Sequence, residues 1–119
     1  MKDKIVVRLH RDVYDHFSRK AKSIGLKTGA YISFLVEQEA IKAGFTTDFA
    51  FPDGVEYLFP TRNGHIKTAS NQISVYLSNE AIKIIQQLKQ STGYVKNSEV
   101  IGGLLLCSLE GRALMNDLL

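Results

Sequence analysis

The sequence predicts a mostly α-helical fold with one short antiparallel two-stranded β-ribbon, assembled from two strand-helix-helix units in a single chain. Three observations carry that expectation. Two segments alternate apolar and polar residues, Lys4-Ile5-Val6-Val7-Arg8-Leu9 and Gln72-Ile73-Ser74-Val75-Tyr76-Leu77. The apolar triplet Ile5, Val7, Leu9 falls on Ile73, Val75, Leu77 at a constant offset of 68 residues. Each alternating segment then runs into apolar residues at helical spacing, a glycine and a second helical stretch. A period of two with β-branched residues marks a half-buried strand, whereas recurrence at three and four marks one face of a helix.

In the first copy, Val13, Tyr14, Phe17, Ala21 and Ile24 form the apolar stripe of a helix with Asp12 in its first turn. Gly25 stops it in the left-handed conformation that glycine adopts most cheaply. After Leu26-Lys27-Thr28-Gly29 a second helix runs from Ala30-Tyr31-Ile32 to about Ala43 and is closed by Gly44. In the second copy Ser78 is a good N-cap, Glu80 lies in the first turn, and Ala81, Ile82, Ile85 and Leu88 make the stripe that ends at Gly93. The loop Tyr94-Val95-Lys96-Asn97-Ser98 leads into Glu99-Val100-Ile101-Gly102-Gly103-Leu104-Leu105, now at an offset of 69. Thr28, and Asn97 or Ser98, are the expected caps of the two second helices.

Residues 45–71 separate the copies and contain Pro52, Pro60, the turn pairs Asp53-Gly54 and Asn63-Gly64, and the apolar residues Phe45, Phe49, Phe51, Val55, Tyr57, Leu58 and Phe59. So many aromatic residues predict an ordered crossover, with a hairpin about Asn63-Gly64. The chain therefore divides into a first unit, 1–44, the crossover, and a second unit, 72–119. A single strand leaves its ladder unpaired and two short helices bury little surface, so the units are expected to form one folded domain together.

With 119 residues and 13.3 kDa, a large multidomain enzyme is excluded. The longest apolar runs, such as Gly102-Gly103-Leu104-Leu105-Leu106-Cys107, are far short of a membrane span, and Met1-Lys2-Asp3-Lys4 leads straight into the first strand without the pattern of a cleavable leader. The one cysteine, Cys107, forms no internal disulfide and is expected to be a buried structural thiol, which favours a cytoplasmic location. The net charge of +3 hides an uneven distribution: residues 1–44 hold nine Lys and Arg against five acids, whereas 72–119 hold four of each. A basic patch of this kind suits nucleic acid, an anionic membrane surface or a solvated face.

The order of strand, helix, glycine turn and second helix, with Lys4-Ile5-Val6-Val7-Arg8-Leu9 in one copy, Asn97-Ser98-Glu99-Val100-Ile101 in the other and Ala30-Tyr31-Ile32 opening a second helix, resembles the ribbon-helix-helix DNA-binding family of the Arc and MetJ repressor type. The likeness covers about 40 residues twice. That family works as a homodimer of one unit per chain, so the resemblance implies an intramolecular pseudo-dimer here. It also implies that the outward strand residues read bases in the major groove: Lys4, Val6 and Arg8 in the first copy, Gln72, Ser74 and Tyr76 in the second. Arg8 suits a guanine edge, Gln72 adenine, Val6 a thymine methyl, and Ser74 either donors or acceptors. The amino termini of the second helices, at Lys27, Thr28 and Gly29 and at Lys96, Asn97 and Ser98, would hold flanking phosphates. Arg62, His65 and Lys67 surround a turn tip that either reaches a neighbouring backbone or minor groove or simply faces solvent.

Catalysis is not expected. His10, His16 and His65 share no metal-ligand spacing, and the sequence holds no phosphate-binding loop, dinucleotide fingerprint or nucleophile elbow. No cofactor, membrane or small-molecule substrate is called for. The expected function is sequence-specific binding of double-stranded DNA by a transcription regulator, most simply a repressor. The alternative is an antitoxin or other protein-binding module of the same fold; a third is a structural relative that assembles without DNA. Leu105, Leu109, Leu114, Met115, Leu118 and Leu119 near the carboxy terminus either complete the core or provide a surface for self-association on DNA.

Overall fold

Strands β1 (Lys2–His10) and β2 (Ser70–Ser78) pair antiparallel in a computed structural model that describes residues 2–46, 49–53, 55, 70–94 and 96–118. The period-two pattern decides which face is buried. Val7, Leu9, Val75 and Leu77 are buried against the helices, whereas Val6 and Tyr76 on the opposite face are 47% and 49% exposed. The register joins Lys4 to Tyr76, Val6 to Ser74 and Arg8 to Gln72. Val6 and Ser74, which face each other at the middle of the ribbon, are the same two residues that the 68-residue offset aligns.

Each strand runs directly into a helix, α1 (Arg11–Ser23) after β1 and α3 (Asn79–Thr92) after β2. Their buried stripes are Val13, Phe17, Ala21 and Ala81, Ile85, Leu88. Tyr14 is only half-buried and Ile24 is exposed, because α1 ends at Ser23 and Ile24 lies in its C-cap. Gly25 and Gly93 take φ of +76° and +75°, the left-handed turn expected of them. Ser78 caps α3 as expected, its Oγ accepting from the Ala81 N–H at 3.2 Å. His10 caps α1, its Nδ1 accepting from the Asp12 N–H at 3.1 Å.

The second helices are α2 (Thr28–Gly44) and α4 (Asn97–Cys107). Thr28, Asn97 and Ser98 are not their caps. The extended residue before each helix is a lysine, Lys27 or Lys96, and neither helix begins with the side-chain bond expected of Thr, Asn or Ser. Those side chains are spent elsewhere: Thr28 Oγ1 is 3.0 Å from Ser18 Oγ, Asn97 Oδ1 accepts from Gln86 Nε2 at 3.4 Å, and Ser98 Oγ accepts from the Arg8 N–H at 3.0 Å.

The helices cross over between the repeats: α2 packs on β2, and α4 on β1. Each seals the outer edge of the other copy's strand. Ser33 Oγ accepts from the Tyr76 N–H at 3.0 Å, and the Glu37 carboxylate takes both the Ser78 N–H at 2.9 Å and its hydroxyl at 2.6 Å. On the opposite edge Ser98 takes the Arg8 N–H. Strand edges left open would invite further pairing, and here polar side chains from the helices occupy them.

A further helix, α5 (Leu109–Leu118), follows a corner at Ser108. The Ser108 hydroxyl donates to the Leu105 carbonyl at 2.6 Å and accepts from the Gly111 N–H at 3.1 Å, ending one helix and starting the next. Glu110 lies 3.4 Å from His16 Nε2 and 3.5 Å from Lys20 Nζ, which fastens α5 to α1. Leu105, Leu114 and Met115 complete the core, while Leu109 is 90% exposed. The Leu118 side chain and Leu119 lie outside the described residues.

The described part of the crossover is packed against the body. Phe51 stacks on Tyr94 with ring centres 5.3 Å apart, meets Phe49 edge-on, and covers Gly103 so closely that a Cβ there would lie 2.7 Å from its ring. Val55 is fully buried. The expected hairpin at Asn63-Gly64 lies outside the described residues, as do Arg62, His65 and Lys67. Cys107 is partly rather than fully buried, and burial followed by the nearby Glu39 carboxylate pushes its thiol up to about 11.

Candidate nucleic-acid interface

The outward face of the ribbon follows from alternation alone. With Val7, Leu9, Val75 and Leu77 committed to the core, the even-numbered residues must point away. Lys4, Val6, Arg8, Gln72 and Tyr76 are all exposed and Ser74 is half-buried, so the six expected base-reading residues share one face in three cross-strand pairs. The central pair Val6 and Ser74 is flanked by Arg8 with Gln72 on one side and Lys4 with Tyr76 on the other. The charge of this face comes entirely from β1: Lys2, Lys4 and Arg8 are cationic, whereas the outward residues of β2 are uncharged.

Two of these residues are tied down, Arg8 by side chain and backbone and Tyr76 by its backbone. The Arg8 guanidinium donates from Nη1 to Ser70 Oγ at 3.2 Å, and its backbone N–H is held by Ser98. The guanidinium keeps further donors, since it carries five N–H groups. At the other end the Tyr76 backbone is held by Ser33, itself bonded to the Gly29 carbonyl at 2.7 Å. A Cβ added to Gly29 would lie 3.5 Å from the Ser74 carbonyl, so α2 starts close beside the centre of β2.

The helix starts therefore lie along the two long edges of the ribbon, α2 beside β2 and α4 beside β1. Lys27 and Lys96 are exposed, while Thr28, Gly29, Asn97 and Ser98 are half-buried in the first turns. The first N–H groups of a helix have no partner within it and favour an anion. The two turns differ in charge: α2 has no acidic residue in its first turn, whereas α4 has Glu99, whose carboxylate accepts from the Lys96 N–H at 3.4 Å.

Sequence reading overlooked the residues that support this face. Lys2 extends the cationic row by one more even position, a signal present in the alternation itself. Ser33, Glu37 and Ser70 hold the strand edges and the Arg8 side chain, and no periodicity singles them out. Phe34 is 60% exposed and, with Ala30, Lys2 and Tyr76, lines a shallow depression at the edge of the ribbon.

Among the described residues no cluster of three or more His, Cys, Asp or Glu side chains could hold a metal ion, and no helix is long and apolar enough to cross a membrane. Comparison with models of known protein families, with curated proteins and with solved structures finds no match for this chain.

Proposed function

We propose that the chain is a sequence-specific DNA-binding transcription regulator, a repressor that occludes its site by laying the β1–β2 ribbon in the major groove. The two strand-helix-helix units act as a pseudo-dimer within one chain, in the manner of the ribbon-helix-helix family that the sequence resembles. The observation that carries this reading is the register. Val6 faces Ser74, its counterpart in the repeat, so the strands are related about that pair as two copies in a symmetric dimer would be. A symmetric ribbon with cationic and hydrogen-bonding side chains exposed on its outer face matches the groove in width and chemistry. Lys27 and Lys96 beside the helix starts would place charge on the flanking phosphates.

Titration of fluorescent duplex DNA with the full chain at about 50 and 200 mM salt tests the proposal, because phosphate contacts release counterions and affinity must fall steeply between the two. Lys27→Ala is expected to weaken all sequences alike and to reduce the log–log salt slope by about 1. Arg8→Ala is expected instead to relax sequence preference. Absence of binding at low salt overturns the proposal. A module that binds only protein, as in the alternative reading, is favoured by the exposure of Phe34 beside Tyr76 and gives that negative result.

A further inference from the structure

The backbone of the ribbon is symmetric about Val6 and Ser74, but its side chains are not. At one end Arg8 stands across from Gln72, and at the other Lys4 stands across from Tyr76. Two identical strands would present the same pair at both ends and would select a palindrome.

The Arg8 and Gln72 end carries two planar groups able to make paired hydrogen bonds to a base edge, the guanidinium to guanine O6 and N7 and the amide to adenine N6 and N7. Its reading side chain is also braced, since Ser70 holds the Arg8 guanidinium, while the backbone is held at both ends, by Ser98 at Arg8 and by Ser33 at Tyr76. The Lys4 and Tyr76 end offers a rotatable point charge and a phenol ring. An ammonium on a flexible stem imposes less geometry than a fork of donors, and a half-exposed ring contacts any base step through its apolar face.

The helix starts differ in the complementary sense. Both are preceded by an exposed lysine, but the one beside the Arg8 strand edge carries Glu99 in its first turn, which opposes a phosphate, whereas the one beside the Tyr76 strand edge has no acid there.

We propose that the chain recognises a non-palindromic DNA site. Base discrimination is concentrated in the half under Arg8 and Gln72, directed to adjacent guanine and adenine, while the half under Lys4 and Tyr76 contributes affinity with little base preference. Ser70 acts as a positioning residue for Arg8. The inference rests on the DNA-binding reading above and deepens it.

Selection from a pool of duplexes with a randomised central segment, using the full-length chain and its Arg8→Ala, Gln72→Ala, Lys4→Ala and Ser70→Ala variants, tests it. The expected consensus is one-sided. Arg8→Ala and Gln72→Ala each cut the preference for the consensus over its mutated half by about tenfold. Ser70→Ala erodes the same half without touching the other, which a merely structural role for Ser70 would not do. Lys4→Ala lowers affinity for all sequences by similar factors. A palindromic consensus, with each variant losing information in both halves, overturns the asymmetry and leaves DNA binding standing. Binding with no consensus also overturns it. Failure of the unaltered chain to bind any duplex removes the DNA-binding reading itself. All four positions are exposed or half-buried, and circular dichroism of each variant confirms that it remains folded.

Discussion

Val6 on β1 and Ser74 on β2 stand directly opposite one another, and they are also counterparts in the 68-residue repeat. The coincidence fixes how the ribbon can be registered. A slip of one residue would turn Ile5, Val7 and Leu9 out to solvent. A slip of two would keep the faces but draw the Arg8 and Tyr76 N–H groups away from Ser98 and Ser33, which receive them from opposite edges. Apolar alternation thus sets the face, and helix side chains set the position along it.

Ser33→Ala is accordingly expected to destabilise the chain by about 1–3 kcal/mol, because it leaves the part-buried Tyr76 N–H without its acceptor. Urea unfolding measures the loss. A change within experimental error would show that the α2 edge contact does not hold β2 in place.

Phe17 and Ile85 are repeat counterparts, and both are fully buried in one continuous core. Phe17→Ala should cost about 3–5 kcal/mol and Ile85→Ala about 2–5 kcal/mol. Since α2 packs on β2 and α4 on β1, neither unit has a core of its own. Each variant should therefore unfold in one transition, followed equally by ellipticity and tyrosine fluorescence. Separated transitions would mean that the units fold independently.

Gly111 sits where α5 turns back over the end of α4, and a Cβ there would run into the Leu105 carbonyl and the Leu106 backbone. Since backbone cannot give way as a side-chain tip can, Gly111→Ala should lose about 1–3 kcal/mol or more. It should also loosen the contacts of Glu110 with His16 and Lys20, detectable as faster amide exchange in α5. Normal stability and exchange would contradict the close approach.

Cys107 is held protonated, its thiol pushed up to about 11 by burial and then by Glu39. At pH 8 it should react with a disulfide reagent far more slowly in the native chain than in urea, because the thiolate is the reactive form. The folded value lies above the ordinary 9.0, so the thiol's stabilising contribution is complete below about pH 9 and is lost as pH rises through about 11. Tyr31, raised by burial and by Glu110, shifts stability in the same direction. Cys107→Ala should flatten part of the alkaline decline; an unchanged profile would assign the decline to other groups.

Strand faces, helix stripes and glycine stops were legible in the sequence because each depends on local periodicity or on a conformation that few residues tolerate. Ile5, Val7 and Leu9 recurring as Ile73, Val75 and Leu77 determined the strands, the buried face and, through it, the six residues on the outward face of the ribbon. The caps of the second helices were not legible. Thr28, Asn97 and Ser98 have the right chemistry for that role, but Ser18, Gln86 and the edge N–H of Arg8 compete for their side chains from distant parts of the chain. The corner at Ser108 was hidden within an apolar run, since one hydroxyl that bonds in both directions leaves no periodic trace. Only the tertiary structure decided that α2 guards β2 and α4 guards β1, that Phe51 closes over Gly103, and that Ser70 holds Arg8. Sequence periodicity reports which side of an element must leave water, whereas the partner that covers that side is chosen by packing and hydrogen bonding between residues far apart in the chain.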